Sequence, residues 1–223
     1  MKVLVLYSIP LRQDRATLEF AMSDAAECVA GAIENAPVAA VRGEVREVMA
    51  ALEKHQPDVV FNCCEAPLGR PDLEQHVAAL LEWLGVRFTG SHSECLALCR
   101  RKDHVNPLLA AAGIPVPRCD DFGFPCIVKP ADEDGSYGIW TGSICENQAE
   151  IDRARAHLPG RVLLEEFLPG REFVVSLWGA GSPEHHSIGE TLFEGGVRLK
   201  TYAGKWRSGT VEFRNAPMIA VEV

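Results

Sequence analysis

The sequence lacks several patterns that would identify a common function directly. It contains neither G-x-x-x-x-G-K-[ST] nor G-x-G-x-x-G, so a P-loop domain and a Rossmann dinucleotide-binding domain are excluded on pattern. No apolar run approaches the ~20 residues of a membrane span, and the short apolar run after Met1 is interrupted by Ser8 and Pro10, which excludes a secretion signal. We therefore expect a cytoplasmic protein with no membrane partner.

The eight cysteines do not have the spacing of a structural zinc site. No C-x-x-C pair occurs, and Cys95 and Cys99 share a helical face without a matching second pair. Free thiols packed as small apolar side chains are the favoured interpretation, and reduced thiols fit a cytoplasmic protein. We assign no metal ligands.

Basic residues are also in the minority, with 22 Lys and Arg against 31 Asp and Glu, which gives a net charge of −9. An acidic chain repels the phosphate backbone of nucleic acid at long range, so nucleic acid is not an expected partner. A nucleotide is a polyanion as well. Any nucleotide site must therefore be formed by a few lysines and arginines that converge locally.

The N-terminal part of the chain alternates between strand and helix patterns. The continuous apolar run at residues 2–7 predicts a strand that is buried on both faces. The predicted elements, in chain order, are strand 2–7, helix 18–32, helix 45–52, strand 58–61, helix 73–84 and strand 86–89. This alternation predicts an open parallel α/β unit.

After this unit the sequence shows a helical pattern, and further strand patterns follow it. Asp103 is predicted to cap a helix in which Pro107 is tolerated because it lies in the first turns. Later elements are predicted as strand 125–129, helix 147–157 and strands 162–165, 172–177 and 187–192.

The segment from Phe124 to Pro130 is the first motif of interest. It is a strand that delivers Lys129 to a fixed point, and the loop Gly135–Gly138 follows it. Backbone N–H groups in such a loop can cradle phosphate oxygens. A surface hairpin with a solvated lysine is the alternative interpretation.

A second motif joins Leu163–Leu168 to Gly170–Phe173. One interpretation is a β-hairpin that turns at Pro169-Gly170 and carries solvated glutamates. The other is an adenine-binding hinge, in which backbone groups around Glu165–Leu168 bind the base and Glu172 accepts hydrogen bonds from ribose hydroxyls.

Together these segments resemble the ATP-grasp superfamily and, within it, the D-alanine–D-alanine ligase group. Leu81–Ser91, Arg101-Lys102 with Leu108–Pro115, and Tyr202–Trp206 resemble further segments of that group in the same order. The resemblance implies an α/β (α+β ATP-grasp) chain. Its expected parts are an N-terminal open parallel α/β lobe (1–92), a central ATP-grasp lobe (93–167) and an incomplete C-terminal ATP-grasp lobe (168–223).

The resemblance also implies which residues hold the phosphates of ATP. Lys102 and Lys129 are expected to contact the phosphates, and Gly135 and Ser136 belong to the loop that closes over them. Lys205 is expected to approach the γ-phosphate from a mobile loop. Ser136 and Lys205 are therefore the expected catalytic residues.

On the nucleoside side, the resemblance implies an adenine pocket formed by Glu165, Phe167 and Leu168, with Glu172 on the ribose. The implied function is an ATP-dependent carboxylate–amine ligase that forms a peptide-type bond through an acyl phosphate. Its implied substrates are small amino acids or peptides, and Mg²⁺ is expected for the family.

The magnesium ligands of the family have no counterpart in the sequence. After Trp206 the only carboxylates are Glu212 and Glu222, and neither is assigned as a ligand. The alternative function is therefore a non-catalytic, truncated nucleotide-binding protein or one half of a split ligase. Uncovered apolar strand faces within 172–192 then predict a homodimer or a complementing second chain.

Overall fold

The computed structural model describes residues 1–9, 16–34, 36–179, 182, 184–195 and 198–221, and the side chains of residues 16–22 are not among the described ones. The chain divides into two compact units, Met1–Arg101 and Lys102–Val223. The division into three lobes at 92/93 and 167/168 stays a prediction. Glu222 lies outside the described residues.

The first unit contains a three-stranded parallel sheet with helices between its strands. Its elements are β1 (Val3–Ser8), α1 (Ala16–Ala32), β2 (Val38–Val41), α2 (Val45–His55), β3 (Val59–Cys63), α3 (Glu74–Trp83) and α4 (Ser93–Cys99), with 3-10 turns at Pro67–Gly69 and Pro71–Leu73. The strand order is β2-β1-β3. The predicted open parallel α/β unit is thus confirmed.

The central strand of this sheet is buried on both faces, as its apolar run predicts. Leu4, Val5 and Leu6 have no exposed surface, and Leu4 lies opposite Val60 of β3. The predicted strand at 86–89 is wrong, because only Phe88 forms a bridge to Val60. A parallel strand needs a longer run of paired residues than this loop supplies.

The second unit contains two antiparallel sheets. Its elements are α5 (Lys102–Ala111), β4 (Cys126–Pro130), β5 (Ile144–Cys145), α6 (Gln148–His157), β6 (Val162–Glu166), β7 (Glu172–Trp178), β8 (His185–Thr191), α7 (Tyr202–Trp206), α8 (Val211–Arg214) and β9 (Met218–Val221), with a 3-10 turn at Thr141–Ser143. Asp103 lies in the first turn of α5 and does not precede it, so the predicted cap is placed two residues too late.

The sheets have the strand orders β5-β4-β6 and β7-β8-β9. The hairpin interpretation of the turn at Pro169-Gly170 is therefore wrong. β6 pairs with β4, whereas β7 pairs with β8. The chain between β6 and β7 passes from one sheet to the other, as a hinge between two sheets does.

Two of the cysteines lie in the core of the β4 sheet. Cys126 and Cys145 are fully buried and pack with Val128 against α6. Burial raises the pKa of the Cys145 thiol to about 11, so this thiol stays protonated at neutral pH. The predicted apolar packing holds for these two cysteines and for Cys64, while Cys28, Cys95, Cys99 and Cys119 are exposed and form no disulfide.

None of the helices in the described ranges combines the length and the apolar content needed to cross a membrane.

Candidate functional site

The antiparallel register of β4 and β6 brings Lys129 and Glu165 together. Lys129 lies opposite Leu163, and Ile127 lies opposite Glu165, so the lysine and the glutamate are diagonal neighbours on one sheet face. The Lys129 ammonium donates to Oε1 of Glu165. Their side chains are 19% and 4% exposed, respectively, which makes this a largely buried ion pair.

The other carboxylate oxygen of Glu165 is bound from α5. Asn106 Nδ2 donates to Glu165 Oε2 over 3.3 Å. Asn106 is not among the predicted site residues, although it follows Lys102 by four positions and so lies on the same helical face. That spacing is the signal from which Asn106 could have been found.

Lys102, at the start of α5, is attached to the loop that follows β4. Its backbone N–H donates to the Ala131 carbonyl oxygen over 3.0 Å. Its ammonium donates to the Glu133 carbonyl oxygen and lies 3.3 Å from Oδ1 of Asp134. The structure thus places Lys102 at the loop Asp132–Gly138, called the glycine loop below. Oxygens of Glu133 and Asp134 in this loop bind the Lys102 ammonium.

The glycine loop has left-handed backbone at consecutive positions. Gly135 and Ser136 have φ values of 63° and 60°, and Gly138 has a φ of 75°. A side chain at Gly138 is also excluded sterically, because a Cβ there would lie 2.7 Å from Pro130 and 2.9 Å from Leu158. Left-handed backbone at Ser136 is unusual for a residue with a Cβ and is typical of functional loops.

Three backbone N–H groups of this loop, those of Gly135, Ser136 and Gly138, have no hydrogen-bond partner within the described part of the chain. The N–H groups of Tyr137 and Ile139 donate to the carbonyl oxygens of Asp134 and Ser136 instead. Neighbouring unpaired N–H groups in a turn form an anion-binding concavity. The loop can therefore accept phosphate oxygens.

The segment that carries Lys205 is docked on the glycine loop. Trp206 Nε1 donates to the Gly135 carbonyl oxygen over 2.7 Å, and the Tyr202 N–H donates to that of Ile139 over 3.0 Å. The Lys205 ammonium lies 5.3 Å from the centre of the Trp206 ring, which is a cation–π contact. The structure thus brings Lys205 to the side of the site where Ser136 lies.

Lys200 links this segment to the predicted ribose residue. Its ammonium donates to the Ala216 carbonyl oxygen. Burial lowers the pKa of Lys200, the negative charge of Glu172 opposes that shift, and the positive charge of Lys205 adds to it. Glu172 and Lys205 therefore both lie close enough to Lys200 to act on its charge.

The predicted adenine hinge is held by a residue that was not predicted. Arg118 donates from its backbone N–H and from Nε to the two carboxylate oxygens of Glu166, both over 2.9 Å. These contacts keep the pKa of Glu166 below its usual range. The N–H of Phe167 donates to the Pro125 carbonyl oxygen, whereas the N–H of Leu168 has no partner within the described residues. The Leu168 amide is thus available to a base.

A second unpredicted pair fixes the start of β7 next to Glu172. Arg171 donates from Nε and Nη2 to the two oxygens of Glu190 over 2.7 and 2.6 Å, and its guanidinium lies 4.6 Å from the centre of the Phe173 ring. The guanidinium holds the pKa of Glu190 below its ordinary value. A bidentate pair of this kind orients both side chains.

Magnesium does not fit the residues described. Among them, no three or more His, Cys, Asp or Glu side chains come together as a metal site requires. Magnesium prefers carboxylate oxygens, and near the glycine loop and hinge the carboxylates of Asp134, Glu165 and Glu166 already bind lysine or arginine. We therefore assign no step to a magnesium ion held by these residues.

Part of the second unit matches a known protein family. Residues 109–218 match the family described as D-ala D-ala ligase C-terminus. The D-alanine–D-alanine ligase of Gluconobacter oxydans (strain 621H) is 34% identical over 149 residues, which cover 61% of this chain and 48% of the relative. That of Beijerinckia indica subsp. indica is 30% identical over 193 residues, covering 80% and 57%. The chain spans about half the length of the curated relatives it matches.

Solved structures show the same fold. The chain aligns over its full length with D-alanine–D-alanine ligase from Bacillus anthracis complexed with ATP, with a TM-score of 0.65, 16% identity and 72% of that chain covered. A second structure of the Bacillus anthracis ligase gives a TM-score of 0.69 at 14% identity, with 73% of that chain covered. The predicted α/β ATP-grasp fold is confirmed.

Replacing Lys129 by Met should leave Glu165 buried with Asn106 as its remaining partner. Breaking a buried pair in this way should lower the free energy of unfolding by about 3–5 kcal/mol. The double variant Lys129→Met/Glu165→Leu should recover most of that loss, because no unpaired charge remains. Urea unfolding followed by tryptophan fluorescence measures both effects, with Lys54→Met, in the last turn of α2, as the control. Equal stabilities of the single and double variants would contradict a buried ion pair.

Proposed function

We propose that the chain is a D-alanine–D-alanine ligase-like protein of the ATP-grasp superfamily, which binds ATP and takes part in carboxylate–amine ligation. The reaction would form a peptide-type bond through an acyl phosphate. The observation that carries the proposal is that helix α5 joins the two lysines to one loop. Its Lys102 donates to the loop that holds the three unpaired N–H groups, and its Asn106 shares Glu165 with Lys129. This is the local concentration of donors that an acidic chain needs to hold a polyanion.

In the proposed complex the phosphates lie on the loop Gly135–Gly138, within reach of Lys102 and Lys129. Their oxygens would replace Glu133 and Asp134 as partners of Lys102, and would join Glu165 as a partner of Lys129. The exchange is favourable because phosphate carries more charge than one carboxylate. Ser136 and Lys205 would contact the transferred phosphoryl group.

The nucleoside would lie at the hinge. The free N–H of Leu168 is suited to a ring nitrogen of adenine, and the Phe167 and Leu168 side chains would cover the base. Glu172 would accept hydrogen bonds from the ribose hydroxyls, while the Arg171–Glu190 pair holds β7 in position. Glu165 would border the pocket through its contacts with Lys129 and Asn106.

The chemistry suits these residues because it needs positioning and charge neutralisation more than a protein nucleophile. A substrate carboxylate would attack the γ-phosphorus and release ADP, and an amine would then displace phosphate from the acyl phosphate. We propose small amino acids or peptides as the substrates. The free cysteines and the use of ATP favour the cytoplasm as the compartment.

Lys102→Met is the cleanest variant for testing nucleotide binding, since Lys102 is more exposed than Lys129 and its loss leaves no buried charge. It should weaken ATP binding at least about tenfold, because it removes a charge-assisted contact to phosphate. Binding of adenosine should not change. Calorimetric titration measures both ligands, with Lys54→Met as the matched control. An unchanged ATP affinity in Lys102→Met, or no ATP affinity in the parent protein, would refute the site.

The same preparation tests ligation directly. ADP release with Mg²⁺ should depend on adding an amino acid from a broad panel of D- and L-isomers. ATP binding with no turnover across that panel would favour the alternative, a non-catalytic nucleotide-binding protein or one half of a split ligase. Restoration of turnover by a second polypeptide would identify the split form.

We further propose that the chain associates through β7. This strand is at the edge of its sheet, and all seven of its residues are exposed. Leu177 and Trp178 are 60% and 72% exposed. Antiparallel pairing of two copies about Val175 would place Glu172 opposite Trp178, so no like charges would meet. A second copy is the favoured partner, and a complementing second chain is the alternative.

Light scattering should therefore give about twice the monomer mass of 24.3 kDa. Val175→Lys should shift the population towards monomer, because a lysine on an edge strand opposes strand pairing. Ser208→Lys, at an exposed position outside the sheets, is the control and should leave the mass unchanged. A monomer mass for the parent protein at every working concentration would contradict association through β7.

A further inference from the structure

A cavity of about 280 Å³ lies outside the nucleotide site, between the turn before β5 and helix α6. All of its lining residues come from one short stretch of chain: Trp140, Gly142, Ile144, Glu150, Arg153, Ala154 and His157. The proposed binding of ATP uses none of these side chains. The volume is near the lower end of small-molecule sites, which are roughly 300–1,000 Å³, so the cavity suits a ligand with a single ring.

Two aromatic rings form one wall of the cavity. The rings of Trp140 and His157 have centroids 5.5 Å apart and an angle of 38° between their planes. Gly142 allows the indole to lie against the turn, because a Cβ at that position would be 2.6 Å from Trp140 Nε1. Ile144 and Ala154 add apolar surface. A flat apolar group can therefore stack in the cavity.

The hydrogen-bond donors of the cavity are largely unused. Trp140 Nε1 has no partner within the described ranges, and Arg153 is 74% exposed with its nearest carboxylate oxygen 3.7 Å away on Glu150. The Glu150 carboxylate already accepts from the Glu146 N–H over 2.7 Å and from Asn147 Nδ2 over 3.0 Å. Arg153 is thus available to an incoming anion.

His157 also lines the cavity, but one of its ring nitrogens is hydrogen-bonded within helix α6. His157 Nδ1 lies 3.1 Å from the Arg153 carbonyl oxygen, which only accepts, so Nδ1 carries the hydrogen and donates. This contact fixes the ring plane of His157 against Trp140. Because Glu150 is occupied by its helix-capping contacts, the cavity offers an anion two donors and offers a cation no free carboxylate.

We infer that this cavity binds a small aromatic carboxylate. The ring would stack on Trp140 and His157, and the carboxylate would accept from the Arg153 guanidinium and from Trp140 Nε1. Guanidinium groups match carboxylates in geometry and charge. With one ring and one charged group, the dissociation constant should be on the order of 1 mM.

Benzoate is the probe, and benzamide is its uncharged counterpart of the same shape. In an ¹H–¹⁵N spectrum of the parent protein, benzoate should shift the indole signal of Trp140, which is identified by its absence in Trp140→Phe. Benzamide should bind about tenfold more weakly, because it lacks the charge that pairs with Arg153. Equal binding of the two probes, or no shift of the indole signal with benzoate, would overturn the inference.

Arg153→Gln should weaken benzoate about tenfold and leave benzamide unchanged. Arg155→Gln on the same helix is the matched control, because Arg155 does not line the cavity, and it should bind benzoate as the parent protein does. Gly142→Ala should weaken both probes by moving the indole. Benzoate binding that is insensitive to Arg153→Gln would refute the carboxylate contact.

Discussion

The buried ion pair between Lys129 and Glu165 is the interaction on which the proposed nucleotide site depends. It exists because β4 and β6 pair in one register, which places the two side chains diagonally on the same face. A shift of one residue would move either side chain to the face that packs against α6. The pair therefore couples the fold of the β5-β4-β6 sheet to the position of the Lys129 ammonium.

Both lysines that are predicted to bind phosphate donate hydrogen bonds to carboxylate or carbonyl oxygens of the protein. Lys102 contacts the glycine loop, and Lys129 contacts Glu165. In a chain with a net charge of −9, both ammonium groups thus have oxygen partners before any nucleotide binds. Nucleotide binding would then replace the oxygens at Lys102 and add phosphate oxygens beside Glu165 at Lys129. Since these charges partly cancel before ATP arrives, the net gain in affinity is smaller than the number of lysines suggests.

Continuous apolar runs and ordered motifs made much of this structure predictable. The run of β1, the helices α2 and α3, and the strands β4 and β6 were placed to within a few residues, whereas the short strand β5 was not predicted. Pairing was the harder problem. Only the register of β4 and β6 shows that Glu165 lies on Lys129, and only the assignment of β6 and β7 to different sheets excludes a hairpin at Pro169-Gly170. Asn106, Arg118 and Glu190 bind partners 59, 48 and 19 residues away, distances at which local periodicity carries no information.

Amide hydrogen exchange in the glycine loop tests most directly the central claim, that this loop binds the phosphates of ATP. The N–H groups of Gly135, Ser136 and Gly138 have no partner in the described chain and should exchange rapidly in the free protein. If phosphate oxygens bind there, ATP should slow the exchange at these three amides, and adenosine should not. Exchange that is equally fast with and without ATP, under conditions where ATP is bound, would contradict a phosphate site at this loop.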